Sequence, residues 1–357
     1  MNTNRAALPE HVWLRRFAKL LCLLTLVLIF LGGQVKSHEA GLSVPDWPLT
    51  YGENPITYGY SKWVGGIFHE HFHRLFAGIV AALTVVLAVW IGYRENRGRI
   101  VLLGAAAVLA VLFQALLGGL TVIYKLPVLV SSSHAILAQI FLLLTVVLAY
   151  IYSREFKSRF DQLRDKTSEG QTPLKAWSIA LIAAIFLQLF LGALMRHTES
   201  GLAVYDFPTT AGQLLPVVTP ATLEAVNTWR FDNTDAMGVP LPDVTATQIR
   251  IHLFHRFGAC LVGGIVFALG YLGLTKWPLD AVCKRTLVYL MLLTAVQITL
   301  GAVTIWTAKL PLITSIHVAV GAAVLALATV LALRAWPINK TVSEVEAVKF
   351  SAEAVAS

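Results

Sequence analysis

Of 357 residues, 57% are hydrophobic and 13% charged, against roughly 45–50% and ~25% in soluble domains, which excludes a soluble enzyme. The formal charge of +8 comes with no basic stretch interleaved with aromatic residues, so nucleic acid is not an expected partner. The three cysteines, Cys22, Cys260 and Cys283, form no CxxC or CxxCH motif, which leaves disulfides, zinc and covalent attachment of a cofactor without support.

Apolar blocks of the length that crosses a bilayer core run over 17–35, 67–93, 100–123, 128–152, 177–195, 249–271, 287–306 and 312–336. They predict an all-α integral membrane protein with eight transmembrane helices. Arg15, Arg16 and Lys19 precede the first block in the manner of a signal peptide, but the stretch from Gly32 to Val35 offers no cleavage site of small residues, so the block reads as a retained anchor. Two long connections, 36–66 and 197–248, fall on one side. On the other side lies the charged segment 153–174, with Arg154, Lys157, Arg159, Asp161, Arg164, Asp165 and Lys166, which reads as a linker between an N-terminal half (17–152) and a C-terminal half (175–336). Residues 1–16 and 337–357 read as polar tails. With eight spans, the termini and the linker share a side that holds 19 of the 28 Lys and Arg, against 9 on the other, while the acidic residues split 10 and 10. The lysine and arginine excess predicts cytoplasmic termini and long loops on the outer face, so the basic charge reflects topology.

The halves resemble each other. Glu-Ala-Gly-Leu-Ser-Val-Pro-Asp-Trp-Pro at 39–48 aligns with Glu-Ser-Gly-Leu-Ala-Val-Tyr-Asp-Phe-Pro at 199–208, an offset of 160. Phe72-His73-Arg74 matches Phe254-His255-Arg256 at offset 182, and Gln114, Gly118, Thr121 and His134 match Gln297, Gly301, Thr304 and His317 at offset 183. Four spans per unit give both units the same orientation, so two tandem four-helix bundles related by an axis along the membrane normal are expected.

His73, His134, His255 and His317 lie near the outer starts of the second, fourth, sixth and eighth spans. Ionisable groups at membrane depth are costly and mark sites, and two facing imidazoles in a helical bundle suit haem iron. Interhelical hydrogen bonding is the structural alternative. Zinc fits poorly, because neither half repeats a third ligand at that depth. Glu70 breaks the repeat, its counterpart being His252, and stands three residues before His73 on the same helical face. It reads either as an acid or base or as a carboxylate complementing the helix dipole. Arg74 and Arg256 suit haem propionates or snorkelling to the interface. Asp46 and Asp206 read as turn formers, Gly118, Gly119 and Gly301 as close-packing positions, and His11, His38, His69, His71 and His197 as polar surface residues.

On Glu70-His71-Phe72-His73-Arg74, His134, His255-Arg256, His317 and the duplicated Glu-x-Gly-Leu-x-Val-x-Asp loop, the whole chain resembles the haem A synthase family. The resemblance implies oxidation of the C8 methyl of haem O to a formyl group through hydroxylated intermediates, giving haem A for terminal oxidases. It implies His73 and His134 around the substrate haem with Glu70 as acid/base or charge-stabilising group, and His255 and His317 on a resident haem b that relays electrons. It also implies an electron-transfer partner, and neighbours such as haem O synthase and oxidase assembly factors beside the membrane lipids. The outer loops lack the cysteine pair found in some members, so a mechanism needing loop thiols is not expected here. An N-terminus without an amphipathic Arg- and Ser-rich segment points to a bacterial inner membrane. Two other functions share these features: a dihaem membrane cytochrome that only transfers electrons, and a parallel-repeat transporter without cofactor.

The charge asymmetry makes a direct expectation. In a background lacking Cys22, Cys260 and Cys283, a membrane-impermeant thiol reagent added to intact cells labels a cysteine at Asp235 and not one at Arg159. Labelling at position 159 would reverse the orientation.

Overall fold

The computed structural model describes residues 11–163, 173–214, 216–238 and 241–335. Arg164, Asp165, Lys166, most of the N-terminal tail and the C-terminal tail lie outside the described residues. The α-helices among the described residues are α1 (Val12–Ser37), α2 (Gly66–Arg94), α3 (Gly98–Ile123), α4 (Val128–Ile151), α5 (Arg154–Leu163), α6 (Leu174–His197), α7 (Pro220–Met237), α8 (Ala246–Thr275), α9 (Ala281–Trp306) and α10 (Pro311–Ala335). Eight of these, all but α5 and α7, are long and apolar enough to cross a membrane, as the apolar blocks predict; most extend a few residues beyond their block, while α4 and α10 end one residue short of theirs. The chain is a multi-pass membrane protein. Large side chains such as Leu102, Phe113 and Leu129 stand 69%, 59% and 77% exposed on these helices, a surface that only lipid would cover favourably.

The helix starts follow from local chemistry. Thr245 opens α8 with a capping box, its side chain taking the Gln248 N–H while Gln248 returns a bond to the Thr245 N–H. Asp280 takes the Cys283 N–H at 2.7 Å to open α9, and Thr219 followed by Pro220 opens α7.

In each half the helices pack in sequence: α1 on α2, α2 on α3 and α3 on α4, then α6 on α8, α8 on α9 and α9 on α10. Separate apolar cores fill them. Leu21, Val80, Leu87, Ala107 and Phe141 centre the first, and Leu181, Val266, Leu287, Leu290 and Leu325 the second. The halves meet through α1 on α10, α4 on α6 and α4 on α10, a seam filled by Ile29, Leu142, Val146 and Ala322. Since α1 corresponds to α6 and α4 to α10, these contacts obey the twofold relation expected from the repeat.

Two connections carry more structure than their composition suggests. The linker contains α5, whose Glu155 receives Arg334 of α10 through two bonds of 2.7 and 2.5 Å. Arg334 also donates to Thr286 of α9, and Arg159 of α5 reaches Asp280 and the Arg334 carbonyl. The second long loop contains α7, held by Arg230, which donates to the Leu202 and Pro242 carbonyls, and by Trp229 stacked on Tyr205 at 3.7 Å.

The α5 cluster ties α5 to α9 and α10 through charged hydrogen bonds. Replacing Arg334 with Ala is expected to cost about 1–2 kcal/mol, the range for charged hydrogen bonds with partial exposure, read as a lower thermal midpoint in detergent. The Glu155→Ala/Arg334→Ala double variant should lose less than the two single losses together.

Candidate functional site

All four histidines sit within the first turns of their helices at the end that carries the long loops. His134 is six residues into α4 and His317 six into α10, about 9 Å along the axis at ~1.5 Å per residue. His73 on α2 and His134 on α4 are electrostatic neighbours, as are His255 on α8 and His317 on α10. The structure therefore brings the histidines together as one pair per half, each pair contributed by two helices.

Each ring has the same kind of neighbour. A Cβ added to Gly32 of α1 would stand 3.1 Å from His73 Cε1; one at Gly118 of α3, 3.1 Å from His134 Cε1; one at Gly192 of α6, 3.0 Å from His255 Cε1; and one at Gly301 of α9, 3.2 Å from His317 Cε1. Four imidazoles thus lie edge-on against four helix backbones where no side chain intervenes. Gly118 and Gly301 do allow close packing, and what packs on them is the histidine. Gly119 similarly receives the Trp47 indole from the first loop.

Glutamines line the rings. Gln114 Nε2 donates to the His134 carbonyl at 2.9 Å and lies 3.3 Å from its Nε2, and Gln297 Nε2 lies 3.5 Å from His317 Nε2. Gln188 Nε2 is 3.1 Å from His255 Nδ1 and 2.9 Å from its carbonyl. Among the buried polar atoms without a partner are Nδ1 of His73, His134 and His317 and Oε1 of Gln114, Gln188 and Gln297. Reasoning from the sequence missed Gly32, Gly192 and Gln188 as neighbours of the site. The offset of 160, carried back from the loop into the preceding span, pairs Gly32 with Gly192 and was the available signal.

The loops over the histidines are clamped by the residues beside them. Glu70 Oε2 accepts the Val44 N–H at 2.7 Å and Oε1 accepts Arg74 Nη2 at 2.5 Å. Arg74 also donates to the carbonyls of Asp46, Leu49 and Val44. In the second half His252 Nδ1 lies 3.0 Å from the Ser200 carbonyl and 3.4 Å from the N–H of Val204, the repeat counterpart of Val44. Arg256 donates to the carbonyls of Thr209 and Asp206, and its buried Nε has no partner. Both arginines therefore hold backbone of the loops. Asp46 accepts the Tyr51 and Gly52 N–H groups, and Asp206 those of Ala211 and Gly212, matching the turn-forming role.

Placing His71 on the surface is corrected by the structure. It is fully buried, hydrogen-bonded to Thr50 Oγ1 at 3.2 Å and flanked by Tyr58 and Trp63. The first loop folds back over α2 and covers a polar side chain that composition alone assigned to water. His69 is half-buried and stacks at 3.9 Å on exposed His38.

The arrangement fits haem. Two imidazoles from two helices form each donor set, and each ring is seated against a glycine where a Cβ would press on it. Among the described residues no group of three or more His, Cys, Asp or Glu side chains is placed to hold a metal ion.

A family described as cytochrome oxidase assembly protein matches residues 15–329. The chain belongs to this family. Relatives named Heme A synthase include those of Halalkalibacterium halodurans (28% identical over 216 residues, 58% of this chain and 67% of that one), Rickettsia bellii (23% over 319 residues, 82% and 89%) and Shewanella oneidensis (27% over 305 residues, 82% and 86%). The match spans both halves, so all four histidines and both clamped loops lie within the family's extent.

The aspartate turns set a pH limit on the loops. Burial opposes ionisation of Asp46, but the N–H groups of Gly52 and Tyr51 outweigh it and hold the carboxyl below its usual range. At Asp206 burial is likewise outweighed, by the Thr209 hydroxyl and the N–H groups of Gly212 and Ala211. A depressed folded pKa stabilises above the unfolded value, about 3.9, and the contribution is lost as pH falls through the folded one. Hydrogen exchange at 50–53 and 210–213, corrected for intrinsic rate, should stay slow from pH 8 to about 4 and quicken below. Loss of protection between pH 7 and 5 would show that another group controls the loops.

Proposed function

We propose that this protein is a haem A synthase, which oxidises the C8 methyl of haem O to a formyl group to give haem A for terminal oxidases. The observation that carries the reading is the repeated set of histidine pairs, each ring against a glycine, in a chain of this family. Haem supplies the redox chemistry when bound, as a substrate in the N-terminal half (17–152) and as a resident haem b relaying electrons in the C-terminal half (175–336). His73 and His134 hold the substrate, and His255 and His317 hold haem b. The membrane is a bacterial inner membrane, with the termini cytoplasmic and the histidines toward the outer face. The electrons pass to a partner in or on that membrane.

The difference between the halves supports this polarity. Only the first half has a carboxylate, Glu70, one turn from a proposed ligand; the second has His252 at that place. Glu70 and Arg74 hold the loop 39–53 above His73, which excludes water from that end of the half. Protonation of Glu70 would remove the charge that strengthens its bond to Arg74, so the loop clamp and the acid/base role are coupled. Arg74 and Arg256 stand at the boundary where haem propionates would lie, and the Nε of Arg256, buried without a partner, is a donor open to such a group.

Pigment extraction from the purified protein tests the reading: haem b is expected together with haem O, an oxidised intermediate or haem A. Haem b alone would indicate an electron carrier, and no haem a transporter. His255→Ala or His317→Ala should abolish most low-spin haem b absorbance, whereas His73→Ala and His134→Ala should impair conversion and leave that signal. Glu70→Gln keeps an acceptor for the Val44 N–H but cannot titrate. It should slow conversion by about 10²–10⁴-fold, the usual worth of an acid/base group, with haem O or a hydroxylated product accumulating. Normal haem A output from Glu70→Gln would leave Glu70 as a loop clamp only.

A further inference from the structure

One cation beside the second histidine pair plays no part in the site as described. Arg196 lies in the last turn of α6, four residues after Gly192 and therefore one turn further out on the same helical face. Gly192 is where the His255 ring rests, and α6 packs on α10, whose His317 is an electrostatic neighbour of Arg196. The guanidinium does not turn out to the membrane surface as a snorkelling arginine does. It turns into the seam, where Nη2 donates to the Gly33 carbonyl at 3.2 Å and to Ser37 Oγ at 3.0 Å. Ser37 Oγ in turn lies 3.2 Å from Ser315 Oγ, two residues before His317. Arg196 thus stands on the outer side of the second pair, on the helix that seats one ring and beside the helix that carries the other.

The protein supplies this cation with no counter-charge of its own. Glu199, the carboxylate in its field, is paired with Lys36 of α1, and Lys309 is 3.6 Å from its other oxygen. Three cations share one carboxylate at this end of the seam. Lys36 is the residue that offset 160 pairs with Arg196, so of two repeat-related cations one is answered by a carboxylate and the other is not. Nη2 makes both bonds of Arg196, and its Nε and Nη1 make none. A charge at membrane depth is costly unless an anion meets it, and a guanidinium with N–H groups to spare is suited to a carboxylate.

We propose that Arg196 binds a carboxylate of the haem held by His255 and His317. The inference rests on those proposed ligands. Haem carries two carboxylates; Arg256 offers its unpartnered Nε to one, and Arg196 takes the other. Because Nη2 stays on the Gly33 carbonyl, next to the glycine that seats His73, the ligand of one half and the backbone of the other share a single guanidinium.

The test uses the full-length protein, produced under haem limitation and titrated in detergent with iron protoporphyrin IX or with its dimethyl ester, whose carboxylates are masked. The low-spin signal that His255→Ala removes reports the second half. Wild type should prefer the free acid. Arg196→Gln should weaken binding of the acid about 10–100-fold, the worth of a hydrogen bond between charged groups, and leave the ester nearly unchanged. Arg196→Lys, which keeps the charge, should retain part of the preference. Ser37→Ala breaks a bond across the seam without touching the charge and should keep the wild-type ratio, whereas a purely structural arginine would lose acid and ester alike on substitution. An unaltered preference in Arg196→Gln, or equal weakening of both ligands there and in Arg196→Lys, would overturn the inference. Survival of the low-spin signal in His255→Ala would instead overturn the ligand assignment on which it rests.

Discussion

An imidazole can lie between packed transmembrane helices only where the adjacent helix surrenders its side chain, and this is the constraint on which the rest depends. Interaxial distances of ~8–10 Å leave little room for a ring beside a Cβ. Gly32, Gly118, Gly192 and Gly301 provide that room at the four positions where His73, His134, His255 and His317 arrive. The glycines fix how α1 approaches α2 and α3 approaches α4, and likewise α6 with α8 and α9 with α10. Helix packing and ligand placement are thus one geometric problem, solved twice in the same chain.

The loops solve a second problem, that of ending helices at a membrane surface without leaving buried backbone groups unpaired. Arg74 and Arg256 each collect carbonyls from the loop above them, and Asp46 and Asp206 collect N–H groups. Charges next to the proposed ligands thereby serve the backbone first. Glu70 belongs to this set in the first half, and His252, with its bond to Ser200, takes over part of that duty in the second.

Much of this was legible in the amino-acid sequence because membrane helices announce themselves by length and composition, and because duplication exposes whatever departs from symmetry. The eight spans, the twofold relation and the pairing of His73 with His134 and His255 with His317 follow from those two signals. What did not follow was tertiary. His71 is apolar in its surroundings though polar in kind, because Tyr58 and Trp63 fold back over it. Helices α5 and α7 lie in polar segments whose composition suits a loop; α5 is held by Arg334 of α10, and α7 by its own Arg230 reaching the carbonyls of Leu202 and Pro242. Gln188 was invisible because its importance lies in which ring it meets, and contact across helices has no local period.

The seam between the halves has a further consequence. Its middle is apolar, with Ile29, Leu142, Val146 and Ala322, while at the loop end Arg196 of α6 donates to the Gly33 carbonyl and Ser37 of α1, and Ser37 meets Ser315 of α10. A chain holding a single half would expose this strip and strand its cation in lipid, where an unpaired charge is costly. The linker carrying α5 keeps both halves in one polypeptide, so each always has the other to cover this strip.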